Sequence, residues 1–163
     1  MSRDGQIVQR AFNFINPNME SKYLYVSRKS LIIPTIWMSP EIKDVQKIFK
    51  WPTYIDIYQF LEKIGLDGEI YSTCYDDNGF NVKKKYVSTE LFNNDKFIDV
   101  YNTFVKKDVI RHSMAAYKIT VKYLKQEGLS GKIAIVDIGW HGSMQEALLK
   151  ILNREGVECD IHG

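Results

Sequence analysis

Residues Ile133–Leu149, IAIVDIGWHGSMQEALL, run from an apolar stretch (Ile133, Ala134, Ile135, Val136) into an acid, Asp137. The glycine-bracketed loop Gly139-Trp140-His141-Gly142 follows, and Ser143 opens an amphipathic segment. The pattern predicts a buried strand, a tight loop, and a helix with Ser143 as its N-cap. In open α/β sheets, ligands sit outside the carboxyl ends of the strands. A helix N-terminus at such a place offers free N–H groups and the positive end of a dipole to a phosphate or another anion. A ligand is therefore expected here.

Working outward, Gly128 to Gly131 make the turn into this strand, and Gly156 ends the helix before a last strand in VECDIHG. Helical spacing fills Asp95 to Gln126, with Phe97, Val100, Phe104, then Ile110, Met114, Tyr117, Val121 and Leu124 on the inward face. At the other end, Ile7, Val8, Ala11, Phe12 and Ile15 recur at helical spacing, and Asn16-Pro17-Asn18 stops the helix. Tyr23 to Ser27, YLYVS, reads as a short strand, followed by the apolar LIIPTIW. Residues 40–64 read as two helical pieces, capped by Ser39 and Thr53 and closed by Gly65. Residues 66–95, with the polar YDDNGF and KKKY, read as loop or an excursion from the core.

Strand–helix–strand alternation at both ends with helices between predicts an α/β, Rossmann-like fold with a mainly parallel sheet. The expectation is one α/β domain over 1–163, with a helical insertion over roughly 40–127. The opening SRDG has no strand before it, and the final strand stops as the sheet would use it. The chain is therefore expected to be a partial domain from a longer protein.

The 163 residues include 22 basic and 20 acidic side chains, a net charge of +2, which gives no argument for nucleic acid as a partner. Cys74 and Cys159 have no CxxC or Cys/His spacing, so neither a disulfide scaffold nor a structural zinc site is expected. A reducing cytoplasm is the expected compartment. No apolar run approaches the ~20 residues that a membrane span needs, and the polar start MSRDGQIVQR lacks a signal-peptide core.

Within the loop, Asp137 could orient a ribose hydroxyl, hold a metal-bound water or act as a base. The alternative is that it caps the loop's own N–H groups. His141 has the loop's one side chain suited to proton transfer near neutrality; otherwise it is a packed or exposed loop histidine. Gly139 and Gly142 could admit a ligand to the backbone or serve a turn needing positive φ. A nucleophilic role for Ser143 is disfavoured, because GxSxG is absent. Arg3 and Asp4, with Gly5, open the first helix, and Arg3 could hold a phosphate bidentately. Ser27, Arg28 and Lys29 make a further basic strand end. Convergence of these loops would form an anion pocket; the alternative is a set of solvated surface groups. No residues are spaced to ligate a resident metal, while magnesium could accompany a phosphorylated ligand.

Three motifs, SRDGQIVQ (Ser2–Gln9), YLYVSRKSL (Tyr23–Leu31) and VDIGWHGSMQ (Val136–Gln145), with a closing DIHG (Asp160–Gly163), resemble a C-terminal region of large bacterial proteins. Those proteins are identified as hydrolases of the haloacid dehalogenase (HAD) superfamily and accompany glycosyltransferases in surface-polysaccharide gene sets. The DxDx[TV] motif that supplies the HAD nucleophile is absent here, and Asp76-Asp77-Asn78-Gly79 does not replace it. The resemblance implies the partner half of such a protein, without the nucleophile. A second similarity, to type I phosphoribosyltransferases, lies in the layout of Val136–Met144. Ile138 stands where that family has a second acid, which argues against binding of phosphoribosyl pyrophosphate with magnesium.

The resulting expectation is a domain that binds a phosphorylated or nucleotide-activated sugar at loops 2–5, 27–30 and 137–143. Asp137 and His141 would be the reactive or orienting groups, and any chemistry would be hydrolysis or transfer. The alternatives are a non-catalytic module docking a HAD or glycosyltransferase partner, with exposed apolar surface around LIIPTIW, and a phosphoribosyltransferase-like enzyme.

Overall fold

The computed structural model describes residues 3–49, 53–129, 131–136, 142–157 and 159–162; the side chains of Arg3, Asp4, Lys132 and 159–162 lie outside the description. Contacts divide the chain into two units. One joins Met1–Leu31 to Val121–Gly163, and the other is Ile32–Thr120.

The first unit begins with helix α1 (Arg3–Ile15), closed as Asn16 donates its N–H to the Phe12 carbonyl at 2.8 Å. Helix α2 (Arg28–Ile32) starts where the YLYVS strand was expected to end. No strand forms at residues 23–27, because the N–H groups a ladder needs go elsewhere. Tyr25 N–H donates to the Tyr123 hydroxyl at 2.9 Å, and Val26 N–H to the Leu24 carbonyl at 2.9 Å.

The second unit holds the large core. A 3₁₀ turn, Ile33–Met38, carries Pro34 in its first turn, where a missing N–H costs nothing. It buries most of LIIPTIW: Ile33, Pro34 and Ile36 are core residues. Helix α3 (Ile42–Val45) has Glu41, not Ser39, at its N-cap, and Ser39 instead closes the preceding turn onto Ile36. Strand β1 (Tyr54–Ile55) leads to α4 (Ile57–Lys63), capped not by Thr53 but by Asp56. Asp56 Oδ1 accepts from Gln59 N–H at 2.8 Å, and the Gln59 side chain reaches back to Asp56 N–H, a capping box. Gly65, at φ 87°, ends the helix.

Residues 66–95, expected to be loop, fold. Helix α5 (Gly68–Asp76) is capped by Asp67, strand β2 (Tyr86–Val87) pairs antiparallel with β1, and α6 (Ser88–Phe92) and α7 (Asp95–Val100) follow. Tyr75, fully buried against Phe97 (centroids 5.1 Å), fixes α5 on the core. A π-helical turn, Tyr101–Val105, joins α7 to the long α8 (Lys106–Gln126).

Back in the first unit, β3 (Gly131–Ala134) and β4 (Cys159–His162) are parallel, in register Gly131↔Cys159 to Ala134↔His162, with α9 (Ser143–Arg154) between them. A parallel pair requires such a crossover.

The expected mainly parallel Rossmann-like sheet is therefore overturned. Helix dominates, and among the described residues strands occur only as two short pairs, one of them antiparallel. Nor is the Ile133 stretch a buried strand. From Ile133 to Val136 it alternates between half-buried and exposed, with Val136 73% exposed, because β4 is its one strand partner among the described residues.

Candidate functional site

All the candidate residues read from the sequence belong to the unit of residues 1–31 and 121–163. Asp137, Gly139 and His141 lie outside the described residues, as does Ile138. The loop's exit is described. Gly142 is the N-cap of α9, in the left-handed region at φ 56°, and it is exposed. Ser143 is therefore the first helical residue rather than the cap, and it is buried. Gly142, as the N-cap, has no side chain to accept from the first-turn N–H groups of α9. These donors would otherwise be met by a serine or aspartate oxygen. The helix is fixed by Ala147, Leu148, Ile151 and Leu152, all buried. Its first-turn acid, Glu146, is paired at 2.9 Å with Lys150 one turn on.

The second loop is not a strand end. Ser27 and Ser30 cap the start of α2 reciprocally. Ser27 Oγ accepts from Ser30 N–H at 3.1 Å, and Ser30 Oγ accepts from Ser27 N–H at 2.8 Å. The Ser27 hydroxyl is thereby engaged in local structure. Arg28 and Lys29 stand exposed in the first turn of α2, which contains no acid, and Arg28 has no carboxylate partner among the described residues.

In the third loop, the side chains of Arg3 and Asp4 fall outside the description. Gly5 has a packing reason. A Cβ there would come within 2.8 Å of Tyr23 Cε2, so the tyrosine ring lies on the helix backbone. The segment carrying Tyr23 is in turn tied to the end of α8. Lys22 Nζ donates to the Glu127 carbonyl at 3.0 Å, and Tyr25 N–H bonds the Tyr123 hydroxyl. Burial holds that hydroxyl above its ordinary pKa.

Apolar packing closes the space beneath α9. Val121, Leu124, Leu129, Ile151, Leu152 and Val157 line a cavity of about 20 Å³, large enough for one water and far too small for a sugar phosphate. Among the described residues, no group of three or more His, Cys, Asp or Glu side chains is placed to hold a metal ion. No helix among them is long and apolar enough to cross a membrane.

Sequence reasoning missed the capping roles of Ser27 and Gly142. The S-x-x-S spacing of Ser27 and Ser30 was the available signal for the first. No family model, curated protein or solved structure matches the chain.

Proposed function

We propose that the unit of residues 1–31 and 121–163 binds a phosphorylated or nucleotide-activated sugar through loops 2–5, 27–30 and 137–143. It would do so as a domain of a cytoplasmic polysaccharide-biosynthesis protein related to the HAD hydrolases. The observation that carries this reading is that Met1–Leu31 and Val121–Gly163, which hold every candidate residue and all the resembling motifs, belong to one compact unit although Ile32–Thr120 intervene.

Two local features support it. The N-cap of α9 is a glycine, with no side chain to bond the first-turn N–H groups, and a helix N-terminus is suited to an anion. Arg28 and Lys29 are exposed with no acid in their turn, so their positive charge is available to a phosphate. In this reading Arg3 and Arg28 hold the anion, the α9 N–H groups bond its oxygens, Asp137 orients a sugar hydroxyl, and His141 donates or accepts a proton. Magnesium, if it takes part, would arrive with the phosphate.

Exposed apolar surface around LIIPTIW would have favoured the docking alternative, and Leu31, Ile33, Pro34 and Ile36 of that stretch are buried.

A thermal-shift panel on the whole chain tests the reading. The ligands are inorganic phosphate, phosphoribosyl pyrophosphate, nucleoside diphosphate sugars and sugar phosphates, each with and without magnesium. A ligand at ~100 times its dissociation constant should add ~2.7 kcal/mol of stability, and Asp137→Asn should abolish the shift. A protein that melts cooperatively and shifts with none of them would sink the proposal. A shift confined to phosphoribosyl pyrophosphate with magnesium would replace it by the phosphoribosyltransferase-like alternative.

A further inference from the structure

The outer face of α8 carries a row of cations. Lys107, Arg111, Lys118, Lys122 and Lys125 are all exposed. At about 100° per residue they fall within roughly 60° of one another around the helix axis, in a row about 27 Å long. Val109, Ser113 and Leu124, on the opposite side of the helix, are buried. Two of the five cations are ion-paired, Arg111 with Asp108 and Lys125 with Glu155, each at 2.7 Å, yet their side chains stay 79% and 60% exposed. Lys107, Lys118 and Lys122 have no carboxylate partner among the described residues.

A helix face that is merely solvated alternates in sign, as α9 does where Glu146 pairs with Lys150 at 2.9 Å. On α8 like charges stand one turn apart, Lys107 with Arg111 and Lys118 with Lys122, an arrangement that destabilises a helix. A polyanion laid along the face would relieve it. The row is one charge wide, so it complements a line of anions, whereas a membrane surface presents its charge in two dimensions. Its four lysines to one arginine are unlike a protein interface, where arginine is enriched and lysine depleted. Between the cations stand Met114, Ala115 and Ile119, all exposed, and no aromatic ring on which an unpaired base could stack. A phosphodiester duplex offers lines of anions with its bases already stacked. The chain's net charge of +2 conceals the row, because acids elsewhere balance it.

We infer that the outer face of α8 binds the phosphate backbone of a nucleic-acid duplex, with Lys107, Arg111, Lys118 and Lys122 on the phosphates and no reading of the base sequence. The inference stands apart from the ligand reading, because it uses none of loops 2–5, 27–30 and 137–143.

Fluorescence anisotropy of the whole chain with a labelled duplex two helical turns long tests it, in two unrelated sequences, as DNA and as RNA, beside the single strand. The two sequences should bind alike and the single strand more weakly. Affinity should fall about 40–500-fold from ~50 to ~200 mM salt, as roughly three to five phosphate contacts require. Binding to either duplex supports the inference, and the tighter of the two names the source. Lys118→Ala and Lys122→Ala should each lower the salt slope by about one. Lys84→Ala, which removes a lysine held over the Tyr86 ring, should leave it unchanged. Alanine favours helix and each α8 change removes a like-charge pair, so these variants should melt at or above the parent. If one fails to fold, Lys107→Ala and the salt slope of the unaltered chain carry the test. Absence of duplex binding at ~50 mM salt overturns the inference. So does binding that is indifferent to salt, that the α8 variants leave unchanged, or that favours the single strand. Displacement of the labelled duplex by polyglutamate or by phosphatidylserine vesicles more readily than by unlabelled duplex also overturns it, and reassigns the row to an acidic protein or a lipid surface.

Discussion

Phe60 and Phe14 show how differently the two units use the same side chain. In the unit Ile32–Thr120, Phe60 is fully buried among Phe49, Phe92, Phe97, Tyr75 and Tyr101, with Phe97 edge-on at a centroid distance of 5.0 Å. In the unit of residues 1–31 and 121–163, Phe14 is 89% exposed, and the buried apolar side chains come mainly from one face of α9. Packed aromatic pairs add to the gain from area burial. The first arrangement therefore concentrates stability, and the second leaves apolar side chains such as Phe14 in solvent. The candidate loops all belong to the second kind of unit, consistent with recognition being drawn from the less stable parts of a protein.

The comparison can be broken most forcefully at Phe60. Phe60→Ala should cost ~3–5 kcal/mol and remove hydrogen-exchange protection throughout Ile32–Thr120. A loss below about 1 kcal/mol would mean that the aromatic cluster is not what holds this unit. Leu148→Ala, at a buried position of α9, should cost ~2–4 kcal/mol. Its exchange signature should be strongest in α9 and β3, and uniform loss of protection across both units would show that they unfold as one.

Ser113 sharpens the picture within the larger core. Its buried hydroxyl donates to the Ile33 carbonyl at 2.6 Å and accepts from Trp37 N–H at 2.9 Å. Ser113→Ala removes both bonds and should lower the denaturation midpoint by the equivalent of ~1–3 kcal/mol.

The smallest effect has the opposite sign. Tyr75 is fully buried and its hydroxyl has no hydrogen-bond partner among the described residues. Tyr75→Phe should therefore raise stability by about 1 kcal/mol.

The same ring makes a pH prediction together with Tyr101. Burial pushes both hydroxyls well above the ordinary tyrosine range. Above about pH 10 the unfolded chain releases these protons and the folded chain retains them, so the unfolded state binds fewer. Stability is complete below that pH and falls as pH rises past it. Urea midpoints that stay flat through this range would contradict the burial of the two hydroxyls.

Legibility from sequence followed the same division. Helix stops were readable where only glycine fits. Gly65, Gly128 and Gly156 all have positive φ at the expected places, and at Gly65 a Cβ would also strike His112 at 2.8 Å. The apolar spacing of α1 was readable too, although periodicity reveals a face and not which way it turns. Caps were misread at Thr53 and Ser143, since several polar residues near a helix start compete and the backbone decides among them. Residues 66–95 were misread because YSTCYDD favours no element on its own, and Tyr75 becomes helical through packing on Phe97. The strand at YLYVS failed because a distant hydroxyl, that of Tyr123, takes an N–H that a ladder would use. Of the candidate site, Gly5, Ser27, Arg28, Gly142 and Ser143 are described. Three of these, Gly5, Ser27 and Gly142, have local structural duties that accompany any ligand role.

The π turn at Tyr101–Val105 acts as an indexing device. Straight α-periodicity from Phe97 and Val100 points Phe104 and Met114 inward, yet both are exposed, and Val105, Val109 and Ser113 occupy the core side. The wider turn advances the helix by one residue, roughly 100° of rotation about its axis. Deleting one residue from 102–104 would unwind that advance and swing the Lys106–Thr120 portion of α8 by the same angle. The Ser113 hydroxyl would leave the Ile33 carbonyl, and Met114 would turn toward its place. A single inserted residue thus sets the phase of the longest helix in the molecule.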